Sequence, residues 1–170
     1  MKFRNPFFAA FGYAGKGIWS TVTRQRNFRV HISAALMVVA LSWLLRITAA
    51  QWGLVVLAMG LVLGLELVNT AIEALVDLAS PGYHRLAGAA KDAAAGAVLV
   101  AAGSSAALAF IIYLPRIAHL GHYFMVRWHH SPVLVMGLCV GFALCYILLW
   151  GVAPERHQPE GGQNRIGGTP

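Results

Sequence analysis

Four long apolar segments dominate the pattern of hydrophobic and polar positions along the chain. They run from Val30 to Leu45, from about Trp52 to Ala79, from Ala93 to Leu114 and from Val133 to Ala153. The first segment can also extend past Arg46 to Ala50. A helix needs about 20 mostly apolar residues to cross a bilayer, and an isolated strand cannot satisfy its backbone hydrogen bonds in lipid. The pattern therefore predicts an all-α integral membrane protein with four spanning helices.

The residues before the first span predict a helix that lies on the membrane surface. Within residues 1–29, apolar side chains recur at steps of three and four, at Phe7, Phe11, Ala14, Ile18 and Val22. Basic residues flank the face that these side chains share, as in helices that lie in the bilayer interface. No cleavable signal peptide is indicated, because this segment has no uninterrupted apolar core.

Composition and charge narrow the class of protein and set its orientation. Hydrophobic residues make up 58% of the chain and charged residues 11%, against about 45–50% and about 25% in globular domains. A soluble domain, a disordered chain and a nucleic-acid-binding module are therefore excluded, despite the net charge of +7. Six of the thirteen lysines and arginines precede the first span. The positive-inside rule then predicts a multi-pass protein with both termini in the cytoplasm.

The second apolar segment carries a stripe of polar residues. Glu66, Asn69, Glu73 and Asp77 fall on one helix face about 80° wide and about 16 Å long. An ionised carboxylate at the bilayer centre costs roughly 3 kcal/mol, so these charges need compensation. The nearby water and a divalent cation can both provide it, and Mg²⁺ prefers one or two carboxylates together with phosphate oxygens.

More polar residues follow the stripe at the same, cytoplasmic face of the membrane. After the turn at residues 80–82 come His84, Arg85, Lys91 and Asp92. We expect Lys91 and Asp92 to open the third helix and to lie near its N-terminal N–H groups, where ATP is available. Phosphate or metal chemistry is favoured by this pattern. Proton or cation transport and a structural network of ion pairs remain open.

Several of these residues belong to segments that resemble the small prokaryotic diacylglycerol kinase/undecaprenol kinase family. The similar segments are residues 66–77 (ELVNTAIEALVD), 84–99 (HRLAGAAKDAAAGAVL), 11–17 (FGYAGKG) and 27–31 (NFRVH). The resemblance covers roughly residues 5–116. It implies a homotrimer of the bacterial inner membrane, with three spans and a surface helix in each chain. It also implies transfer of the γ-phosphoryl of ATP to a lipid hydroxyl, with undecaprenol favoured over diacylglycerol.

The resemblance also implies roles for individual residues. Glu66 would be the catalytic base toward the lipid hydroxyl, and Glu73 would be the principal Mg²⁺ ligand. The residues implied to bind ATP are Tyr13, Lys16, Asn69, Asp77, His84, Lys91 and Asp92. A second metal-binding glutamate of the family falls on Gln25 here, and its neutral oxygen predicts weaker binding of a second ion.

The C-terminal third extends beyond this resemblance. We expect a surface helix at 1–29, a three-span kinase core at 30–116, an extra loop and fourth span at 117–153, and a disordered tail at 154–170. The loop contains His119, His122, His129 and His130, at spacings that match no metal-binding motif. The alternative function is a small oligomeric cation or proton transporter, or a channel subunit, that uses the acid stripe.

Overall fold

The computed structural model describes residues 6–80, 82 and 84–151, and every regular element in these ranges is an α-helix. The elements are α1 (Pro6–Arg24), α2 (Arg26–Leu44), α3 (Ala49–Ala79), α4 (Arg85–Ile117), α5 (Leu120–His130) and α6 (Pro132–Gly151). By length and composition, α2, α3 and α4 can each cross a membrane. The predicted all-helical membrane protein is confirmed to this extent. The surface position of α1 and a crossing by α6 remain predictions, and the predicted tail at 154–170 lies outside the described residues.

A break at Gln25 separates α1 from α2. Gln25 has an extended backbone, with φ −100° and ψ 114°, and its N–H donates to the carbonyl of Thr21 at 2.8 Å. The buried guanidinium of Arg29 donates to the carbonyl of Thr23, which ties α2 to the end of α1. Residues 26–29 therefore belong to the first long helix, which begins before the predicted start at Val30.

The turn between α2 and α3 ends the first long helix at Leu44, so the expected extension past Arg46 does not occur. Arg46 adopts a positive φ of 53°, a conformation that interrupts a right-handed helix. Thr48 then caps α3 through a capping box with Gln51, in which each side chain bonds the other residue's backbone N–H. Arg116 donates to the same Gln51 oxygen at 2.9 Å, which joins this turn to the end of α4.

A cluster of buried apolar residues lies at the end of the bundle that this turn closes. Its members are Leu45, Ile47, Val55, Ile112 and Tyr113. The Ser42 hydroxyl lies 2.6 Å from the Tyr113 hydroxyl and 2.7 Å from the carbonyl of Val38. Because a serine has one hydroxyl proton, Ser42 donates to Val38 and accepts from Tyr113. This buried bond fastens α2 to α4.

The helix α4 begins at Arg85, earlier than the predicted start near Lys91. Nδ1 of His84 accepts from the backbone N–H of Leu86 at 3.3 Å and caps the helix. Lys91 and Asp92 therefore lie about two turns inside α4 and not at its N-terminus. The helices α3 and α4 pack on each other more extensively than any other pair.

The expected histidine-containing loop is mostly the helix α5, and both α5 and α6 pack against α2. The Arg127 guanidinium lies 4.2 Å from the centre of the Trp43 ring and donates to the Trp43 carbonyl at 2.9 Å. That carbonyl lies in the last turn of α2, where carbonyls lack partners within the helix. Within the described ranges, no three His, Cys, Asp or Glu side chains are grouped so as to hold a metal ion.

Candidate active site

The first two residues of the polar stripe lie on a side of α3 that the rest of the chain covers. Glu66 and Asn69 are only 4% and 7% exposed. Nδ2 of Asn69 donates to Oε1 of Glu73, one turn further along, at 2.9 Å. Oδ1 of Asn69 is buried without a hydrogen-bond partner in the described part of the chain. Because a buried acceptor without a donor is costly, this oxygen indicates a binding position for a hydrogen-bond donor or a cation.

An ion pair connects the end of the stripe to the neighbouring helix. Lys91 of α4 donates to Asp77 of α3. The side chains are 36% and 68% exposed, and an exposed pair contributes little to stability. Lys91 therefore remains accessible to an anionic ligand at the position where α3 and α4 face each other.

A histidine that the sequence analysis did not assign to the site lies near Glu66. His31 of α2 and Glu73 are both close enough for their charges to interact with the Glu66 carboxylate. His31 also lines an otherwise largely apolar cavity of about 260 Å³ between α2, α3 and α4, whose α3 wall includes Val62 and Leu63. These two residues lie about one turn before Glu66. The signal for His31 was present in the sequence, because it is the one charged or titratable side chain in the apolar segment from 30 to 45.

Comparison with known proteins identifies the family. The family model described as prokaryotic diacylglycerol kinase matches residues 12–113, which is more than half of the chain. The chain belongs to the prokaryotic diacylglycerol kinase family. This confirms the resemblance and identifies the membrane protein as a kinase, which disfavours the transport alternative. The match ends at Tyr113, so α5 and α6 lie outside it.

Individual relatives agree with the family match. Undecaprenol kinase of Bacillus subtilis is 45% identical over 113 residues, which are 66% of this chain and 92% of that protein. A diacylglycerol kinase of Synechocystis is 40% identical over 112 residues, 65% of this chain and 64% of the relative. The diacylglycerol kinase of Escherichia coli K12 is 37% identical over 92 residues, 54% of this chain and 75% of the relative.

Five other predicted site residues make no hydrogen bond or ion pair with the stripe among the described residues. Tyr13 and Lys16 are exposed on α1, with Nζ of Lys16 6.0 Å from the centre of the Tyr13 ring. In the described part of the chain, no hydrogen bond or ion pair joins them, or the half-buried Gln25, to the acids of α3. His84 and Asp92 are exposed on the N-terminal side of α4. Nothing in the chain tests the roles predicted for these five residues.

The donor set around Glu73 fits a magnesium ion. A carboxylate and a neutral amide oxygen are both hard oxygen ligands of the kind that Mg²⁺ accepts, and this ion usually takes the rest from water and phosphates. Glu73 supplies the carboxylate, and the unpartnered Oδ1 of Asn69 supplies a second oxygen on an adjacent turn.

Proposed function

We propose that the protein transfers the γ-phosphoryl of ATP to the hydroxyl of a membrane lipid, with undecaprenol as the favoured substrate and diacylglycerol as the second. One observation carries this proposal. The buried carboxylate of Glu66 shares a helix face with the Asn69–Glu73 pair, and the accessible cation of Lys91 lies at the end of the same face. A base, two oxygen ligands and a phosphate-binding cation thus follow one another along one helix pair.

As in other phosphoryl transfers, this reaction mainly requires that the two substrates are positioned and that the phosphate charge is neutralised. Glu66 accepts the proton of the lipid hydroxyl while that oxygen attacks the γ-phosphorus. The bond from this phosphorus to the bridging oxygen breaks, and ADP leaves. Lys91 neutralises phosphate charge and exchanges its contact with Asp77 for one with the nucleotide.

Magnesium would be held by Glu73 and by Oδ1 of Asn69, and it would neutralise the charge on the phosphate oxygens. In the family pattern a second ion would use the position of Gln25. A neutral amide oxygen there binds a cation more weakly than a carboxylate, so we expect one tightly held ion rather than two.

The apolar cavity that ends near Glu66 suits the alkyl part of either lipid, so it does not select between them. Undecaprenol is favoured because the relative named undecaprenol kinase shares 45% of the aligned residues, against 40% for the diacylglycerol kinase of Synechocystis. The segment from Asn69 to Glu73 also favours that branch. Gly88 departs from it, because the family branch has a lysine there.

The functional unit in this proposal is a homotrimer in the bacterial inner membrane, with both termini in the cytoplasm. Among the described residues, Tyr13 and Lys16 of α1 make no hydrogen bond or ion pair with the stripe, which suits a site completed by α1 of a neighbouring protomer. Among the described residues, nothing beyond their own helix backbone lies within 4 Å of where a Cβ would lie at Gly60 or Gly64 on α3. Small residues of this kind allow membrane helices of different protomers to approach closely.

The test is a phosphorylation assay in mixed micelles with Mg²⁺ and γ-labelled ATP, in which undecaprenol and diacylglycerol are offered separately. We expect label in undecaprenol first. Glu66→Gln should lower the rate by about 10²- to 10⁴-fold, the usual contribution of a general base, while ATP binding persists. Glu66→Asp is the matched variant that keeps the acid, and it should retain part of the rate. An unlabelled lipid in both assays, together with no binding of ATP, would contradict the proposal.

A further inference from the structure

An apolar groove that the proposed active site does not use lies beside the C-terminal half of α2. Its walls come from α2, α5 and α6 and include Ala40, Trp43, Leu44, Phe124, Val135 and Cys139. Its volume is about 230 Å³, and its lining is almost entirely apolar. Pockets for small molecules are usually larger, about 300–1,000 Å³, and carry converging polar groups. The groove therefore suits a length of hydrocarbon chain rather than a polar metabolite.

A positive charge is in contact with one of the residues that line this groove. The Arg127 guanidinium stacks over the ring of Trp43, itself a lining residue, at 4.2 Å. Phe124 lines the groove and precedes Arg127 by three residues on α5, so the two side chains share a helix face. Arg127 donates one hydrogen bond to the Trp43 carbonyl, while its Nε is buried without a partner in the described part of the chain. Arg46, two residues after Leu44, is exposed nearby.

No carboxylate of the described residues balances these charges. The four described acids all belong to the stripe or to the first turns of α4, near the opposite end of the bundle, and they are Glu66, Glu73, Asp77 and Asp92. The acceptors that Arg127 and Arg116 find in the protein are neutral carbonyl and amide oxygens. This end of the molecule is thus complementary in charge to an anion.

We propose that the groove binds one acyl chain of an anionic phospholipid whose phosphate lies against Arg127. The occupant is a lipid because the groove runs between apolar helices of a membrane protein, where acyl chains are the available hydrocarbon. It is anionic because clustered arginines at a membrane surface attract anionic head groups. One wall of the site is α2, which belongs to the region shared with the kinase family, whereas α5 and α6 close the groove from outside that region.

Cys139 gives a direct readout, because it lines the groove and is an exposed free thiol. In a Cys145→Ser background, the rate of its reaction with a maleimide would be measured in detergent micelles with added phosphatidylglycerol or with phosphatidylcholine of the same chains. We expect phosphatidylglycerol to slow the reaction about fivefold more than phosphatidylcholine does. This factor is the preference for an anionic lipid that one arginine near a membrane surface provides. Arg127→Gln should abolish this difference.

Arg116→Gln is the matched control, since this arginine lies at the same end of the bundle but bonds Ile112 and Gln51, which do not line the groove. It should keep the preference for phosphatidylglycerol. Ala40→Phe fills the groove, so Cys139 should react slowly with the maleimide whether either lipid is present or none. This variant tests the groove even if Arg127→Gln fails to fold. Equal protection by the two lipids would overturn the proposal. Protection that rises with protein concentration without lipid would also overturn it, because a second copy would then cover the groove.

Discussion

Gln25 lies in the break between α1 and α2, with an extended backbone and a half-buried side chain. The family resemblance implies a metal-binding glutamate at this position. The amide has no side-chain hydrogen bond that caps α2, so a carboxylate would not have to break an existing contact of that kind. Magnesium affinity is therefore the property that this one residue should limit.

Gln25→Glu should lower the Mg²⁺ concentration for half-maximal activity by about tenfold, since changes around a metal site commonly act on that scale. The measurement is phosphotransfer against Mg²⁺ concentration at saturating ATP. Gln51→Glu adds the same charge at the other end of α3 and should leave the dependence unchanged. An unaltered Mg²⁺ dependence in Gln25→Glu would refute the idea that this position binds a second ion.

Variants of Lys91 and Asp77 can show, at the scale of single residues, whether this ion pair serves ATP binding or the stability of the fold. Because both side chains are partly exposed, the pair should contribute no more than about 1 kcal/mol to folding. Lys91→Gln should raise the KM for ATP strongly, while Asp77→Asn changes the midpoint of denaturation little. Steady-state kinetics and denaturant unfolding of both variants check this. A large loss of stability in both variants, with an unchanged KM, would show that the pair is structural.

At the scale of elements, the sequence predicts the long helices well and their ends poorly. Hydrophobic length alone is enough to place α2, α3 and α4, because a bilayer requires it. The ends depend on local hydrogen bonds that hydropathy does not contain. The left-handed Arg46 ends α2, His84 caps α4 seven residues before Lys91, where the helix was predicted to start, and α5 forms where a loop was expected.

The candidate site also has one part that the sequence predicts and another that it does not. The stripe from Glu66 to Asp77 follows from helix geometry, since residues three, four and seven apart share a face. The buried and unpartnered Oδ1 of Asn69 and the approach of His31 depend on how α2, α3 and α4 pack, which one sequence does not specify. The predicted contributions of α1 stay predictions, because no polar contact of the described residues joins Tyr13 or Lys16 to the stripe.

The bond between Ser42 and Tyr113 should contribute to stability at the scale of elements, because it joins α2 to α4 among buried residues. Tyr113→Phe leaves Ser42 bonded to Val38 and should cost about 1 kcal/mol. Ser42→Ala leaves the buried Tyr113 hydroxyl without an acceptor and should cost more, up to about 3 kcal/mol of stability. Unfolding in mild detergent with added denaturant measures both variants.

Ser104→Ala is the control for this pair, since its hydroxyl bonds only within α4 and is exposed. It should unfold nearly as the parent does. The reverse order, with Tyr113→Phe less stable than Ser42→Ala, would contradict the assignment of donor and acceptor.

At the scale of the whole molecule, the distribution of site residues makes a prediction about assembly. Glu66 and Lys91 lie on two helices that pack within one chain, whereas Lys16 of α1 makes no hydrogen bond or ion pair with either of them in the described ranges. If α1 of a neighbour completes each site, mixing Lys16→Gln protein with Glu66→Gln protein should restore activity. Random equal mixing in a cyclic trimer leaves about a quarter of the sites intact.

The matched mixture is Glu66→Gln with Lys91→Gln, because both changes then fall in the same α3–α4 unit and no site recovers both residues. Co-reconstitution after dissociation, followed by the phosphorylation assay, distinguishes the two mixtures. Equal recovery in both mixtures, or recovery in neither, would contradict a site shared in this way.

The buried cluster at the α2–α3 turn lies roughly 30 Å from Lys91. This is the rise of about 21 helical residues of α4, which separate Lys91 from Ile112, a member of the cluster. Stability is not uniform in such a molecule, since regions with few buried apolar contacts open first. Thermal opening should begin where α3 and α4 carry the polar stripe and should stop at the turn that Thr48 caps. At the proposed site, substrates would then meet the part of the bundle that opens most readily, so local opening of α3 and α4 would itself admit them.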